Sequence, residues 1–239
     1  TLYKLDNKKW VKANAIAWAV SSALIMFFLG VYLTNLFYGL PFDGDGMTTS
    51  FFGAFHVTTI SGGLLFFALS IISGAAWIEL KTAGELGSRA IAFIKKLLVG
   101  PAAVVFLLFV YMGINVQDNS IFVGELFAKY PVLFVLPGLT VLAAIRLVFT
   151  IFKGTAKPIF IHSLATMGLF LLTGFVGTYP VLLPSSIDPS FGIAITDSLT
   201  QIKSAQIIFF TIVIFYPIII GYQGWKYMKF NEKVEQTEE

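Results

Sequence analysis

The stretch LLTGFVGTYPVLLPSS, residues 171–186, decides the fold class of this chain. It begins as an apolar helix and then meets two prolines, Pro180 and Pro184. Proline has no backbone N–H and crowds the preceding turn, so the helix is predicted to bend or end near Tyr179. A tyrosine there suits the headgroup layer of a membrane. The stretch therefore predicts the edge of a membrane span, and it holds no charge, histidine or metal ligand.

The rest of the chain has the composition of a membrane protein. Of its 239 residues 57% are hydrophobic and 12% are charged, and the mean hydropathy is +0.84. A soluble domain carries about 25% charged residues. The absence of cysteine excludes disulfides, thiolate metal sites, iron–sulfur clusters and cysteine-attached haem. We interpret the net charge of +3 as a topology signal and expect no nucleic-acid partner.

Six segments are apolar over about the 20 residues that a helix needs to cross a bilayer. Lipid offers the backbone no hydrogen bonds, so these segments are predicted to be helices. We therefore predict an all-α, polytopic integral membrane protein, with six transmembrane helices in one membrane domain over residues 1–239. The predicted spans are residues 13–37, 51–80, 97–117, 131–152, 158–183 and 204–227.

Basic residues collect on one predicted face of the membrane. All but two of the 16 lie there: Lys4, Lys8, Lys9, Lys12, Lys81, Arg89, Lys95, Lys96, Arg146, Lys153, Lys157, Lys226, Lys229 and Lys233. The opposite face carries Lys129, Lys203, Asp43, Asp45, Asp118, Glu125, Asp188 and Asp197. The positive-inside rule places the basic face and both termini in the cytoplasm.

Two histidines are the only candidates for haem ligation. His56 is predicted one turn inside the outer end of the second span, and His162 one turn inside the inner end of the fifth. Opposite ends of a bilayer are about 20–30 Å apart, so the pair cannot hold one iron. We expect each histidine to hydrogen-bond to a neighbouring helix. Haem held by one histidine, or by histidine and methionine, stays an alternative.

Few other residues in the predicted spans carry chemistry. Arg146 is expected to contact a lipid phosphate or to pair with Glu79, since its long side chain can reach the interface. Thr82 and Glu85 have the spacing of a capping box at the start of a cytoplasmic helix. Small residues in the second and fifth spans favour close helix packing over a ligand site. They are Ser61, Gly62, Gly63, Ser70, Ser73, Gly74, Gly168, Gly174 and Gly177.

Three segments together resemble one family. TNLFYGLPF (residues 34–42), AAWIELKTAGEL (75–86) and YPVLLPSS (179–186) with TDSLTQ (196–201) appear in the order and spacing of subunit II of cytochrome bd-type quinol oxidases. The resemblance covers nearly the whole chain. It implies a haem-free subunit that packs against a haem-bearing subunit I, in which haem b and haem d oxidise quinol and reduce dioxygen to water. It also implies contact with membrane lipid and a possible structural quinone or lipid.

One departure limits what the resemblance carries over. The family's subunit II usually has about three more helices at its N-terminus, with acidic and polar residues that are linked to proton or oxygen paths. Thr1 falls where the link into the fourth family helix would be. We therefore expect a separate chain or a missing segment to supply those helices. No catalytic, cofactor-binding or metal-binding residue is assigned here. The alternatives are a stand-alone transporter or channel, and a small b-type cytochrome.

Overall fold

The computed structural model describes residues 8–82, 85–104, 106–107, 125–198 and 202–229. Its long helices are α1 (Lys8–Tyr38), α2 (Val57–Lys81), α5 (Val135–Lys153), α6 (Ala156–Thr178) and α8 (Ile202–Lys229). Short helices are α3 (Glu85–Phe93), α4 (Glu125–Lys129) and α7 (Ile195–Ser198). A π-helical turn, Ile94–Leu98, follows α3. The prediction of a polytopic helical membrane protein is confirmed.

Five of the described helices are long and apolar enough to cross a membrane, and they coincide with five of the six predicted spans. Most of the remaining span, residues 97–117, lies outside the described residues. The total of six spans therefore stays a prediction.

Two predicted spans extend beyond their helix into a neighbouring loop. The second helix begins at Val57 and not at residue 51, because Phe51–Ala54 forms a separate 3₁₀ turn. The fifth ends at Thr178 and not at residue 183, because Val181–Leu183 forms strand β3, which pairs with β4 (Ile193–Ala194). A second antiparallel pair, β1 (Phe42–Asp43) and β2 (Gly46–Met47), follows α1. In each case the backbone of the loop makes its hydrogen bonds in a 3₁₀ turn or a strand pair, so the α-helix is shorter than predicted.

Glycines allow α1 and α2 to pack closely against each other. A side chain at Gly30 would lie 2.8 Å from the carbonyl oxygen of Gly62, and one at Gly62 would overlap the hydroxyl of Thr34. Gly63 has Val31 equally close. These contacts confirm the predicted packing role for Gly62 and Gly63 of the second span. Gly74 and Gly168 differ, since no atom of the described chain lies within 4 Å of a Cβ built there.

The buried centre joins α1, α2 and α6. The ring of Phe170 lies 6.1 Å from Phe37 and 5.6 Å from Phe66, centroid to centroid, in edge-on geometry. Gly174 gives the Phe37 ring the room it needs on α6. A buried hydroxyl pair, Thr140 and Thr173, joins α5 to α6 at 3.2 Å. Aromatic packing and small residues together therefore bring four helices into one bundle.

One end of this bundle is rich in cations, and we call it the basic end: the C-terminal ends of α2, α5 and α8, the start of α6, and α3. Trp77 of α2 lies 5.2 Å from the ring of Phe160 and 5.7 Å from that of Tyr227. Lys95 reaches Gly154, which ends α5 with a φ of +75°. A cation beside a helix C-terminus is favourable because carbonyl groups leave negative charge there.

Candidate functional site

At the other end of the bundle, two distant loops join through their backbones. We call this contact the loop junction: residues 39–42 after α1, and residues 184–187 after β3. The N–H of Leu40 donates to the carbonyl of Pro184 at 3.0 Å, and the N–H of Ser186 donates to the carbonyl of Leu40 at 2.9 Å. Gly39 begins the first loop with a φ of +99°, a conformation that favours glycine.

Ser185 lies at the centre of the loop junction and is fully buried, with 0% of its surface exposed. Its Oγ donates to the carbonyl of Phe42 at 2.6 Å and accepts from the N–H of Ile187 at 3.2 Å. One hydroxyl therefore satisfies a backbone acceptor of the first loop and a backbone donor of the second. Buried backbone groups need such partners because water does not reach them.

The two prolines of the opening stretch belong to this contact. The helix ends just before Tyr179, as predicted, and the Tyr179–Pro180 peptide bond is cis. The carbonyl of Pro180 then accepts from the N–H of Ile195 at 3.0 Å. Pro184 offers its carbonyl to Leu40. Both prolines therefore act as acceptors where the chain has left the helix and no helical donor is available.

The segments that carry the family resemblance fall into two places. TNLFYGLPF and YPVLLPSS meet at the loop junction, and TDSLTQ begins beside it, next to β4. AAWIELKTAGEL lies at the basic end, where α2 meets α3. Ser185 was not singled out by the sequence, although it stands within one of the quoted motifs. The only sequence signal for Ser185 is that it belongs to this motif, since a lone serine in a loop predicts no role by itself.

A buried polar group lies next to the loop junction, between α1 and the start of α2. Nδ2 of Asn35 donates to the carbonyls of Val31 at 2.9 Å and Ala54 at 3.1 Å. The hydroxyl of Thr59 also approaches Ala54, at 2.8 Å. Asn35 lines a cavity of about 180 Å³, and its buried Oδ1 has no hydrogen-bond partner among the described residues. Asn35 is not among the residues predicted from the sequence, although an amide within a predicted span is a usable signal.

His56 lies at the N-cap of α2, just outside the helix and not one turn within it. Its backbone N–H donates to Oγ1 of Thr59 at 3.1 Å, and its ring lies 4.6 Å from that of Tyr38. Burial lowers the pKa of His56 because the charged imidazolium loses hydration. A neutral ring is therefore favoured at this position.

His162 is remote from His56. Its Nδ1 lies 2.7 Å from the carbonyl of Pro158, in its own helix. This contact lies within its own helix, so the bond that Nδ1 makes is not the predicted one to a neighbouring helix. Trp77 contacts α6 beside His162, and the helix from His56 to Trp77 is about 30 Å long at 1.5 Å per residue. The two histidines therefore lie at opposite ends of the bundle, as predicted.

The predicted pair of Arg146 and Glu79 does not form. Arg146 is exposed on α5, and no ion pair joins it to Glu79 in the described part of the chain. The carboxylate of Glu79 instead lies against Gly87 of α3. The lipid-phosphate alternative for Arg146 stays a prediction. At the same end, the Thr82 hydroxyl donates to the carbonyl of Ile78 at 2.6 Å, in the last turn of α2. The predicted capping box of Thr82 and Glu85 stays a prediction, since residues 83 and 84 lie outside the described residues.

The part of the chain that the structure describes contains no cluster of metal-binding side chains. No three His, Cys, Asp or Glu side chains there lie close enough to hold a metal ion. Asp188 acts locally: hydrogen bonds with the side chain of Ser190 and with its backbone N–H, the latter at 2.7 Å, lower the pKa of Asp188.

The fold and these contacts define a multi-pass helical membrane protein whose loops join at one end. A family model described as cytochrome bd terminal oxidase subunit II matches residues 2–230. The chain is 27% identical to the cytochrome bd ubiquinol oxidase subunit 2 of Bacillus subtilis, over 98% of this chain and 68% of that protein. It is 23% identical to the cytochrome bd-I ubiquinol oxidase subunit 2 of Escherichia coli K12, over 98% of this chain and 69% of that protein.

A third relative is the probable cytochrome oxidase subunit 2 of Haemophilus influenzae, at 24% identity over 95% of this chain and 67% of that protein. Because the family model spans almost all of the residues, the chain belongs to the cytochrome bd terminal oxidase subunit II family. It spans about two thirds of the length of these relatives.

Proposed function

We propose that this chain is the haem-free subunit of a quinol:dioxygen oxidoreductase and that it supports a haem-bearing subunit I. In this arrangement the partner holds haem b and haem d, oxidises quinol and reduces dioxygen to water. This chain takes no chemical step. Its relatives from Bacillus subtilis and Escherichia coli carry ubiquinol oxidase in their names, which favours a quinol as the reductant.

The observation that carries the proposal is the uncovered surface of α8. The residues that the structure describes bury none of the side chains in the apolar window of this helix. Large side chains are exposed on every side of it, among them Phe209, Ile212, Tyr216 and Ile219. Its described ring contact with the bundle is Tyr227 on Trp77, close to the C-terminal end. A helix attached near one end is suited to packing against another subunit within the membrane.

The histidine geometry supports a haem-free chain. His56 caps a helix and stacks on Tyr38, and His162 contacts the carbonyl of its own helix. Each ring is therefore engaged in local structure, and the bundle separates the two rings by about the length of α2. Haem held between two histidines needs both on one iron.

Haem content tests this assignment. In the intact oxidase we expect the double variant His56→Gln, His162→Gln to keep the reduced-minus-oxidised haem spectrum of the wild type. Glutamine retains a polar group at each position but does not ligate haem iron. The amounts of both subunits, measured on a gel, serve as the control. Loss of one haem band from a complex with unchanged subunit ratio would contradict the proposal.

We further infer that the basic end faces the cytoplasm of a prokaryotic cell, with both termini on that side. The positive-inside rule supports this orientation, since Lys81, Lys95 and Lys153 all lie at the basic end. Because the chain has no cysteine, single-cysteine variants report orientation directly. An impermeant maleimide should label Ser190→Cys in intact spheroplasts and Lys95→Cys in inverted vesicles. The reverse pattern would overturn the orientation.

A further inference from the structure

The outward face of α5 is apolar except for one arginine. The buried residues of α5 form a stripe that faces the bundle: Thr140, Ala143, Leu147 and Ile151. The opposite stripe is left uncovered by the described chain, and its large apolar residues are Leu142, Ile145, Phe149 and Phe152. Arg146 lies among the residues of this uncovered stripe and is exposed as well. A charged side chain therefore lies on a face that otherwise has the composition of a surface in contact with lipid.

Arg146 lies well inside the span. It precedes Lys153, the last residue of α5, by seven positions, which at 1.5 Å per residue places its Cα about 10 Å from the basic end. In a helix the Cα–Cβ bond tilts towards the N-terminus. Because α5 ends at the basic end, the side chain of Arg146 starts in the direction of the membrane centre. Extension towards the phosphate layer at the basic end therefore runs against the direction in which this side chain leaves the helix.

The sequence offers Arg146 no carboxylate at that depth. Among the described residues, Arg146 makes no ion pair, hydrogen bond or ring contact. The six predicted spans contain one acidic residue, Glu79, and its carboxylate lies against Gly87 of α3. The predicted span over residues 97–117, which lies mostly outside the described residues, contains no Asp or Glu. Whichever predicted span of this chain covers α5, it brings no carboxylate to Arg146.

We propose that the outward face of α5 binds a membrane helix of a neighbouring chain, and that an aspartate or glutamate of that helix pairs with Arg146. Charged residues within membrane spans almost always face protein or water and pair with one another. The planar guanidinium group of arginine can hold a carboxylate through two parallel hydrogen bonds. Leu142 and Phe149 supply apolar contact on either side of the pair. This surface belongs to another helix than α8, and the inference does not depend on which chain holds haem.

Photocrosslinking from α5 tests the proposal with the full chain in native membranes. A benzophenone amino acid replaces Leu142, which lies one turn from Arg146 on the side towards which the arginine side chain starts. After irradiation, peptide mass spectrometry should find the probe attached to another chain, within about one helical turn of an Asp or Glu. Attachment to lipid alone would mean that Arg146 serves a phosphate group and would contradict the proposal. Attachment to a peptide without an acidic residue would contradict it as well.

Charge variants test the pair itself, with the crosslink yield divided by the amount of this chain in the membrane. Arg146→Gln should lower the yield about tenfold, because the partner carboxylate is left without its cation inside the membrane. Lys153→Gln removes the same charge at the end of the helix and should leave the yield unchanged.

Exchange of the two charges provides the second test. Arg146→Glu, combined with replacement of the crosslinked acidic residue by arginine, should restore at least about half of the wild-type yield, because the pair forms again with its charges reversed. Equal losses for Arg146→Gln and Lys153→Gln, or an exchange variant no better than Arg146→Glu alone, would show that no such pair exists.

Discussion

A single buried hydroxyl, that of Ser185, connects two loops that are far apart in the chain. The loop junction relies on it because Phe42 and Ile187 have their backbone groups directed at its Oγ. Its neighbour Ser186 is half-buried and contributes only its backbone N–H. Of these two adjacent serines, Ser185 joins the loops through its side chain and Ser186 through its backbone.

Replacement of Ser185 by alanine should destabilise the chain by about 1–3 kcal/mol, the cost of leaving a buried backbone group without its partner. Thermal unfolding of the purified complex, followed by loss of soluble subunit, measures the effect. Ser186→Ala is the matched control, and it should change stability by less than about 0.5 kcal/mol. Equal effects of the two substitutions would mean that the Ser185 hydroxyl does not hold the loops.

His56 should make the junction end sensitive to acid. Burial lowers its folded-state pKa below the ordinary value of 6.5, so the unfolded chain binds the proton more readily. The stabilisation from neutral His56 is complete above pH 6.5 and is lost as the pH falls towards the folded-state pKa. We expect the melting temperature to decrease over that window. His56→Gln, which does not titrate, should flatten the decrease; an unchanged pH profile would contradict this role.

At the scale of elements, glycine decides how closely α1 and α2 pack. The composition of α2 suggests that all of its small residues pack against another helix, but in the structure only some of them do. Gly62 and Gly63 meet α1 in direct contact, whereas Gly74 meets no atom of the described chain within 4 Å. The face of the helix on which a glycine lies determines the difference, since all three share the same helical backbone.

A substitution pair within α2 tests that division. Gly62→Ala places a methyl group on the hydroxyl of Thr34 and should cost about 1–3 kcal/mol through overpacking. Gly74→Ala meets open space, and alanine is favoured over glycine in a helix by about 0.5–1 kcal/mol. The melting temperature of the complex should therefore fall for the first and hold or rise for the second. A decrease of equal size for both would indicate that another subunit packs on Gly74.

At the scale of the whole molecule, α8 stands out as a long apolar helix that the described chain leaves uncovered. The other long helices share the buried core around Phe170, but α8 contributes no residue to it. If a partner subunit packs on α8, one stripe of the helix is covered and the rest faces lipid.

Nitroxide scanning along α8 measures this covering. Single cysteines can be placed at successive positions because the chain has none of its own. In the intact complex, accessibility to dissolved oxygen should vary with a period of about 3.6 residues, with the minima on the covered stripe. The isolated chain in detergent should lose the minima. Uniform accessibility of all faces in the complex would contradict a subunit contact at α8.

The class of protein and five long helices follow from the sequence by local physics. Span length, charge distribution and proline positions act within about one helix, so residues 13–37 and 204–227 predict α1 and α8 closely. The end of α6 at Tyr179 follows for the same reason. The resemblance to the family rested on three motifs and did not require knowledge of where they lie in space.

Only the tertiary structure decided what those motifs contact. The pairing of Leu40 with Pro184 and Ser186, and the bond from Ser185 to Phe42, join residues more than a hundred positions apart. The bond from Nδ2 of Asn35 to the carbonyl of Ala54 likewise depends on how the 3₁₀ turn lies on α1. Hydropathy and spacing report how a residue relates to its own helix. Hydrogen bonds between distant segments depend on the packing of the whole bundle, which no local pattern encodes.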